Sequence, residues 1–341
     1  MKTGPRILVR TSVGLAIFCL FSTLNAVEGG QAMRRAFDYL LLESTSWSPD
    51  NGCFSCHNDG DAFRALLAYD KESQSLRAPQ WQSLLNWFQR PEEWLKSKSA
   101  EIGESPILTF IQFGTARQAA QNAGWIEAEE SVERTIRNEL LKTQSRAGYW
   151  QVEPDRTIGS PGTYGNALAS FQALSIIGEE QSEQIESAKT RCLNWASQFY
   201  PKSSTDLAAI SLLLNLAETS KLRERAKDWS QHLVETQNAD GGWGIFPHRY
   251  SEVFDTAIAC IAIAKTLAPS SGEESLKNAR QFLEETQEPS GGWPETTRPS
   301  GGVSYAQHIS TTAWALQALI QISESFTASH PPDLEAQKGS E

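Results

Sequence analysis

The sequence predicts an all-α chain folded as a barrel of about six helix pairs, with an inner ring of helices inside an outer one. Three observations predict it. A turn pattern recurs along the chain, the helices after it are apolar nearly all round, and the helices before it are amphipathic. No stretch shows the period-two alternation of a half-buried strand.

The turn pattern is Thr-Gln-x-x-x-Gly-x-Trp. It runs from Thr143 to Trp150, from Thr236 to Trp243 and from Thr286 to Trp293. Glycine can take the left-handed conformation that stops a helix. A glutamine amide can bond the last orphan carbonyls, and a tryptophan ring covers the end while its indole N–H seeks an acceptor.

The helices that follow align with one another. Asn166–Leu174, Thr311–Leu319, Asp255–Ile263 and Asp206–Leu214 share a register rich in alanine, which predicts inner helices. Leu222–Glu235 and Glu274–Glu285 carry charge on one face and predict outer helices. Gln144 and Gln237 are about twice as far apart as Gln237 and Gln287, so one repeat between them has lost its turn. The period extends backward to two divergent pairs, the second with Trp81, Trp87 and Trp94 on its first helix. The expected repeats are about 36–69, 80–122, 130–178, 183–218, 222–267 and 273–324, inside a unit of 27–327.

Composition bounds the function. The chain has 341 residues, 40% hydrophobic, which is enough for a large core. Its formal charge of −11 argues against nucleic acid as a partner. Met1–Ala26 reads as a secretory signal peptide: Lys2, Arg6 and Arg10 precede a short apolar stretch, and Leu24-Asn25-Ala26 resembles a cleavage site. The stretch is short for a membrane span, so an exported, periplasmic or secreted protein without a stable transmembrane anchor is expected. The polar segment 328–341 reads as a disordered tail.

The Gln-x-x-x-Gly-x-Trp repeat resembles the QW motif of the terpenoid cyclase and protein prenyltransferase superfamily. The resemblance implies an α/α toroid and an apolar or isoprenoid ligand. Squalene-hopene-type cyclases carry Asp-x-Asp-Asp-Thr at the start of an inner helix, the middle aspartate protonating the polyene. The matching stretch is Glu252-Val253-Phe254-Asp255-Thr256, with Phe254 at the proton-donor position and Asp255 as the remaining acid. Those cyclases also pair two toroids, and this chain has room for one. The prenyltransferase zinc set of Asp-x-Cys and a distant histidine is incomplete: Asp255 is followed by Cys260, which reads as a core residue, although His308 has a plausible position.

Cys53-Phe54-Ser55-Cys56-His57 is the attachment motif of haem c. Two thiols would carry the porphyrin and His57 would ligate the iron. Haem c is attached outside the cytoplasm, in keeping with the signal segment. A small disulfide, a relic of the motif, or half of a zinc site are the other readings of the two cysteines. The motif precedes the first inner helix, where other repeats carry their turn, so the haem would sit at the barrel mouth. There it would neighbour Tyr164, Asn166, Asp206, Tyr305, and His308 or His248 as a sixth ligand. Asp206 and Asp255 also suit N-capping of inner helices. His232 and His330 have no expected role.

Three functions follow. One is an exported haem-c protein, for electron transfer with a redox partner protein or redox chemistry on a ligand bound at the mouth. Another is a haem-free toroid that binds an apolar or isoprenoid ligand or a protein. The third is a divergent cyclase or isomerase using Asp255.

Overall fold

The computed structural model describes residues 30–47, 56–73, 84–86, 88, 106–152, 165–178, 182–296 and 304–329. The expected signal segment, Cys53, Tyr164, His330 and most of the expected tail lie outside them. Helix α1 covers 30–47. A π-helical segment, Cys56–Ala62, runs directly into α2, Phe63–Ser73. Then come α3 (Pro106–Asn122), α4 (Glu130–Thr143), α5 (Gly165–Ile177), α6 (Glu183–Gln198) and α7 (Ser204–Asn215). The last four are α8 (Ser220–Glu235), α9 (Val253–Thr266), α10 (Pro269–Thr286) and α11 (Tyr305–Ser329). Among the described residues there is no strand.

Helices α2, α3, α5, α7, α9 and α11 form the inner ring. Each packs on the next, and α11 closes the circle on the π-helical segment and α2. The outer helices α1, α4, α6, α8 and α10 bury one stripe each; on α4 it is Val132, Ile136 and Leu140. Inner helix α9 is instead buried along nearly its whole length. This difference is the one the sequence patterns predict. The second outer helix is seen at 84–86 and 88, where Leu84, Leu85 and Phe88 are buried.

The three turns share one bonding scheme, which differs in part from expectation. The tryptophan, not the glutamine, bonds a carbonyl in the last turn of the preceding helix. Trp150, Trp243 and Trp293 donate Nε1–H to Leu140, Leu233 and Leu283 O at 2.8, 2.8 and 2.7 Å. The glutamines tie neighbouring repeats together. Gln144 Nε2 donates to Gly148 O at 2.7 Å and to Ala188 O of α6 at 2.9 Å. Gln237 does the same to Gly241 O and to Ser275 O of α10. Gln287 reaches Gly291 O and, across 255 residues of sequence, Ala32 O of α1 at 2.9 Å. The last turn therefore closes the outer ring onto its first helix.

The glycines do not end their helices as expected; they lie further on, inside the turn. Gly148, Gly241 and Gly291 have φ of 105°, 87° and 97°. A side chain on them would run into the carbonyls of Arg191, Asn278 and Arg35 on the next outer helix. Glycine is needed both for the backbone and for this close approach. Each buried indole removes about 200 Å² from water, roughly 5 kcal/mol before entropy is counted. A hydroxyl completes each turn by accepting from the tryptophan backbone N–H: Ser170 Oγ at 2.9 Å, Thr256 Oγ1 at 2.9 Å and Thr312 Oγ1 at 3.0 Å.

Candidate functional site

Among the described residues the turns from outer to inner helices lie at the end where the inner helices begin, which is taken as the barrel mouth. Inner helices here are crowded by neighbours on every side, so a polar group on them is buried by construction. Two polar clusters result.

The first surrounds Arg64 of α2. Its Nη2 pairs with Asp61 Oδ1, and Asp61 Oδ2 accepts from Ser310 Oγ of α11 at 2.6 Å. Arg64 also lies 3.4 Å from Gln112 Oε1 of α3. With its amide turned to satisfy both groups, Gln172 of α5 accepts from Nη1 at 2.9 Å. The guanidinium stands over the Trp314 ring of α11, 5.3 Å from its centroid. Helix α5 is two places from α2 around the ring, so Arg64 must point toward the barrel axis to reach it. Trp314 in turn meets Phe254 of α9 edge to face at 5.8 Å. Gly60 makes room for this cluster, since a Cβ there would come within 2.7 Å of Gln112 Oε1.

The second cluster is acidic and spans α7 and α9. Asp255 is fully buried and accepts a hydrogen bond from Thr205 Oγ1. Burial raises the pKa of Asp206 above the usual carboxylate range; bonds from Ser203 lower it and the charge of Asp255 raises it further. Neither aspartate is an N-cap, contrary to the expectation from their position. Ser203 caps α7 by accepting from Asp206 N at 3.0 Å. Glu252 stands at the cap of α9 without a side-chain cap bond. Both aspartates lie in the first turn of their helices; the Asp206 carboxyl bonds back to Ser203 and to the Lys202 backbone, while the Asp255 carboxyl meets Thr205 of α7.

The other expected mouth residues are placed as follows. The π-helical segment opens at Cys56, with His57 half-buried in its first turn. Asn58 is buried; its amide donates to Tyr305 Oη at 2.9 Å, and its carbonyl accepts from Ser44 Oγ at 3.0 Å. Tyr305 donates to Glu43 Oε2 at 2.8 Å and stacks on Trp47, and burial raises its phenol pKa. His308 faces α1 and the Trp293 turn. Its Nδ1 lies 3.5 Å from Glu295 and its Nε2 3.9 Å from Glu288, while Tyr39 packs edge-on against it. His248 is exposed on the loop before α9, at φ 63°. Asn166 Oδ1 accepts from Val152 N at 2.8 Å, which fixes the chain after the first turn. Cys260 is a buried core thiol whose pKa burial raises, as the sequence predicts. Among the described residues no group of three or more His, Cys, Asp or Glu is arranged to hold a metal.

Asp61, Arg64, Gln112, Gln172, Gln307 and Ser310 carry no motif, and the sequence patterns do not point to them. Their signal in the sequence is a charge or amide in a helix that reads as apolar all round.

Known proteins share this architecture. No family model matches the chain. Over 151 residues it is 27% identical to the lanosterol synthase erg7A of Aspergillus fumigatus, a match over 37% of this chain and 20% of that enzyme. The chain thus spans about a fifth of the length of that curated relative. A solved protein from Actinoplanes superposes with a TM-score of 0.59 at 17% identity, covering 86% of this chain and 99% of that one. The type II terpene cyclase MstE from Scytonema, in complex with its substrate geranylgeranyl dihydroxybenzoate, gives 0.55 at 11% identity, covering 89% and 99%. The fold is that of a terpene cyclase toroid. A possible member of the GH105 family from Salmonella enterica has the same toroid, with a TM-score of 0.52 at 12% identity over 86% and 94% of the two chains. The toroid therefore does not itself dictate a reaction. The match takes in nearly the whole Scytonema chain, so the two-toroid plan of the squalene-hopene type is not the plan of this neighbour.

Proposed function

We propose that the protein is a divergent cyclase-type toroid that takes an isoprenoid chain into the barrel mouth, with Asp206 and Asp255 as its acid pair. The observation that carries this reading is Asp255. It is a wholly buried carboxyl near a second, Asp206, whose pKa burial raises, and its helix also carries Phe254. Phe254 replaces the family's proton donor, but its ring and that of Trp314 offer quadrupoles to a developing cation. The Thr205 hydroxyl donates to Asp255, and the charge of Asp255 favours the protonated form of Asp206. Asp206 would then give its proton to a terminal alkene; the cation would close a ring and lose a proton to water, and Asp206 would take one proton back from water, so the product is an isomer of the substrate. Supporting it are the likeness to lanosterol synthase and to a type II terpene cyclase that binds a geranylgeranyl compound.

The test is incubation with squalene and with geranylgeranyl-bearing compounds, followed by mass-spectrometric product analysis. Cyclised products from the wild type, lost in both Asp206→Asn and Asp255→Asn, are expected. Products that persist in both variants, or no product from any isoprenoid, overturn the reading.

A second reading rests on Cys53, Cys56 and His57. A helix that begins at Cys56, with His57 half-buried in its first turn, suits attachment of haem c in an exported protein. Cys53 and Cys56 would hold the porphyrin and His57 the iron, and the group would supply one-electron chemistry toward a redox partner protein. His308, flanked by two glutamates, is a poorer candidate for a second axial ligand than its position in the sequence implies. The test is the reduced spectrum in alkaline pyridine of protein exported from a host with haem-c maturation. A thioether-type α-band supports it, and soluble helical protein without one sinks it.

A further inference from the structure

Gln307 is held in the first turn of α11 and is 4% exposed, yet neither its amide nitrogen nor its amide oxygen has a hydrogen-bond partner. Such a group is rare in a native interior, because losing water at both ends is unfavourable without replacement bonds. Gln307, Ser310 and Trp314 follow one another at one- and two-turn spacing, so they share a face of α11. Ser310 on that face reaches Asp61, and Trp314 lies beneath Arg64. That face therefore looks onto the barrel axis. Nε of Arg64, one to two turns deeper, is likewise buried without a partner.

We propose that Gln307 binds the head group of the ligand, and that this head is an uncharged amide. The proposal rests on the isoprenoid reading above and adds the chemistry of the chain's polar end. Two bonding demands define it. Gln307 Nε2 requires an acceptor, Gln307 Oε1 requires a donor, and a planar primary amide presents both on one edge. A carboxylate offers no donor to Oε1, and an ammonium offers no acceptor to Nε2. Charge points the same way. Arg64 is already neutralised by Asp61, and Asp255 lies on the neighbouring helix α9 with Asp206 on α7 beyond it, so an added anion would meet carboxylates without a spare cation. The apolar chain would then extend past Trp314 and Phe254.

The experiment compares three probes by titration calorimetry: a fifteen-carbon isoprenoid chain ending in a primary amide, the same chain ending in a dimethylamide, and squalene. The wild type should prefer the primary amide over the dimethylamide about tenfold, or about 1.4 kcal/mol. In Gln307→Met the preference should vanish while dimethylamide affinity stays within about twofold. The ligand-free Gln307→Met protein should also melt above the wild type, because an idle buried amide is gone. Equal affinity of the wild type for both amides, with the chain still bound, overturns the head-group assignment alone. So does a preference that survives in Gln307→Met. Failure of all three probes to bind overturns the isoprenoid reading and this proposal with it.

Discussion

Replacing Arg64 by Met tests whether the axial cluster is a working part of the fold. Methionine keeps much of the stem that packs on Trp314 but removes the guanidinium. The side chains of Asp61 and Arg64 are only 2% and 11% exposed, so the pair counts as buried. Removing one partner of such a pair typically costs about 3–5 kcal/mol. Gln112 and Gln172 also lose their arginine, which adds to the loss by about 1 kcal/mol each at most. The total approaches the whole stability of many domains, about 5–15 kcal/mol. The double variant Asp61→Asn/Arg64→Met removes both charges and should recover more than half of the loss, since the introduced amide oxygen can still accept from Ser310. The assay is urea unfolding followed by circular dichroism, with the slope m compared across variants. A single-variant loss below about 1 kcal/mol would refute the reasoning, and so would a double variant no more stable than the single.

Other predictions concern the turns and the acid pair. Gly241→Ala must strain a φ of 87° and push against Asn278, so thermal melting should show a loss of more than about 1 kcal/mol. Trp293→Phe leaves Leu283 O without its indole donor and should cost about 1–3 kcal/mol, read as a fall in Tm and a flatter near-ultraviolet signal. Asp206 has a raised folded-state pKa, so its contribution to stability is fully present below the unfolded carboxylate range and is lost as pH rises through the folded value. Asp206→Asn should therefore be more stable than the wild type at neutral pH, the gap closing as the solution is acidified. Denaturant titrations across pH 3–7 check the sign.

The architecture is legible in the sequence because it repeats. Three copies of the Gln-Gly-Trp turn and four aligned inner helices are enough to place most elements of the ring. The functions of the turn residues are less legible, since Gln287 bonds a carbonyl 255 residues away and only closure of the ring brings Ala32 there. Position alone favours the aspartates as caps. Ser203 does the capping on α7 instead, and Asp206, in the first turn, bonds back to it. The axial cluster is hidden for the same reason as the seam. Asp61 and Ser310 are 249 residues apart and meet only because the first and last inner helices are neighbours. A trace of it in the sequence is an amide such as Gln112 or Gln172, buried in an apolar helix and obliged to find a partner elsewhere.

The bond from Gln287 to α1 has a consequence for how the molecule comes apart. Open repeat arrays need special end units to cover their first and last faces. Here the two ends cover each other, so every repeat has two neighbours and the chain termini mark only one joint among several. That joint is the one held without a covalent link. It spans the largest sequence separation and so carries the largest closure entropy to be overcome in folding. The ring should therefore assemble as an arc that snaps shut last at α1 and open there first. A permuted chain, cut between two other repeats and joined across the old ends, would move that weak joint without changing the circle.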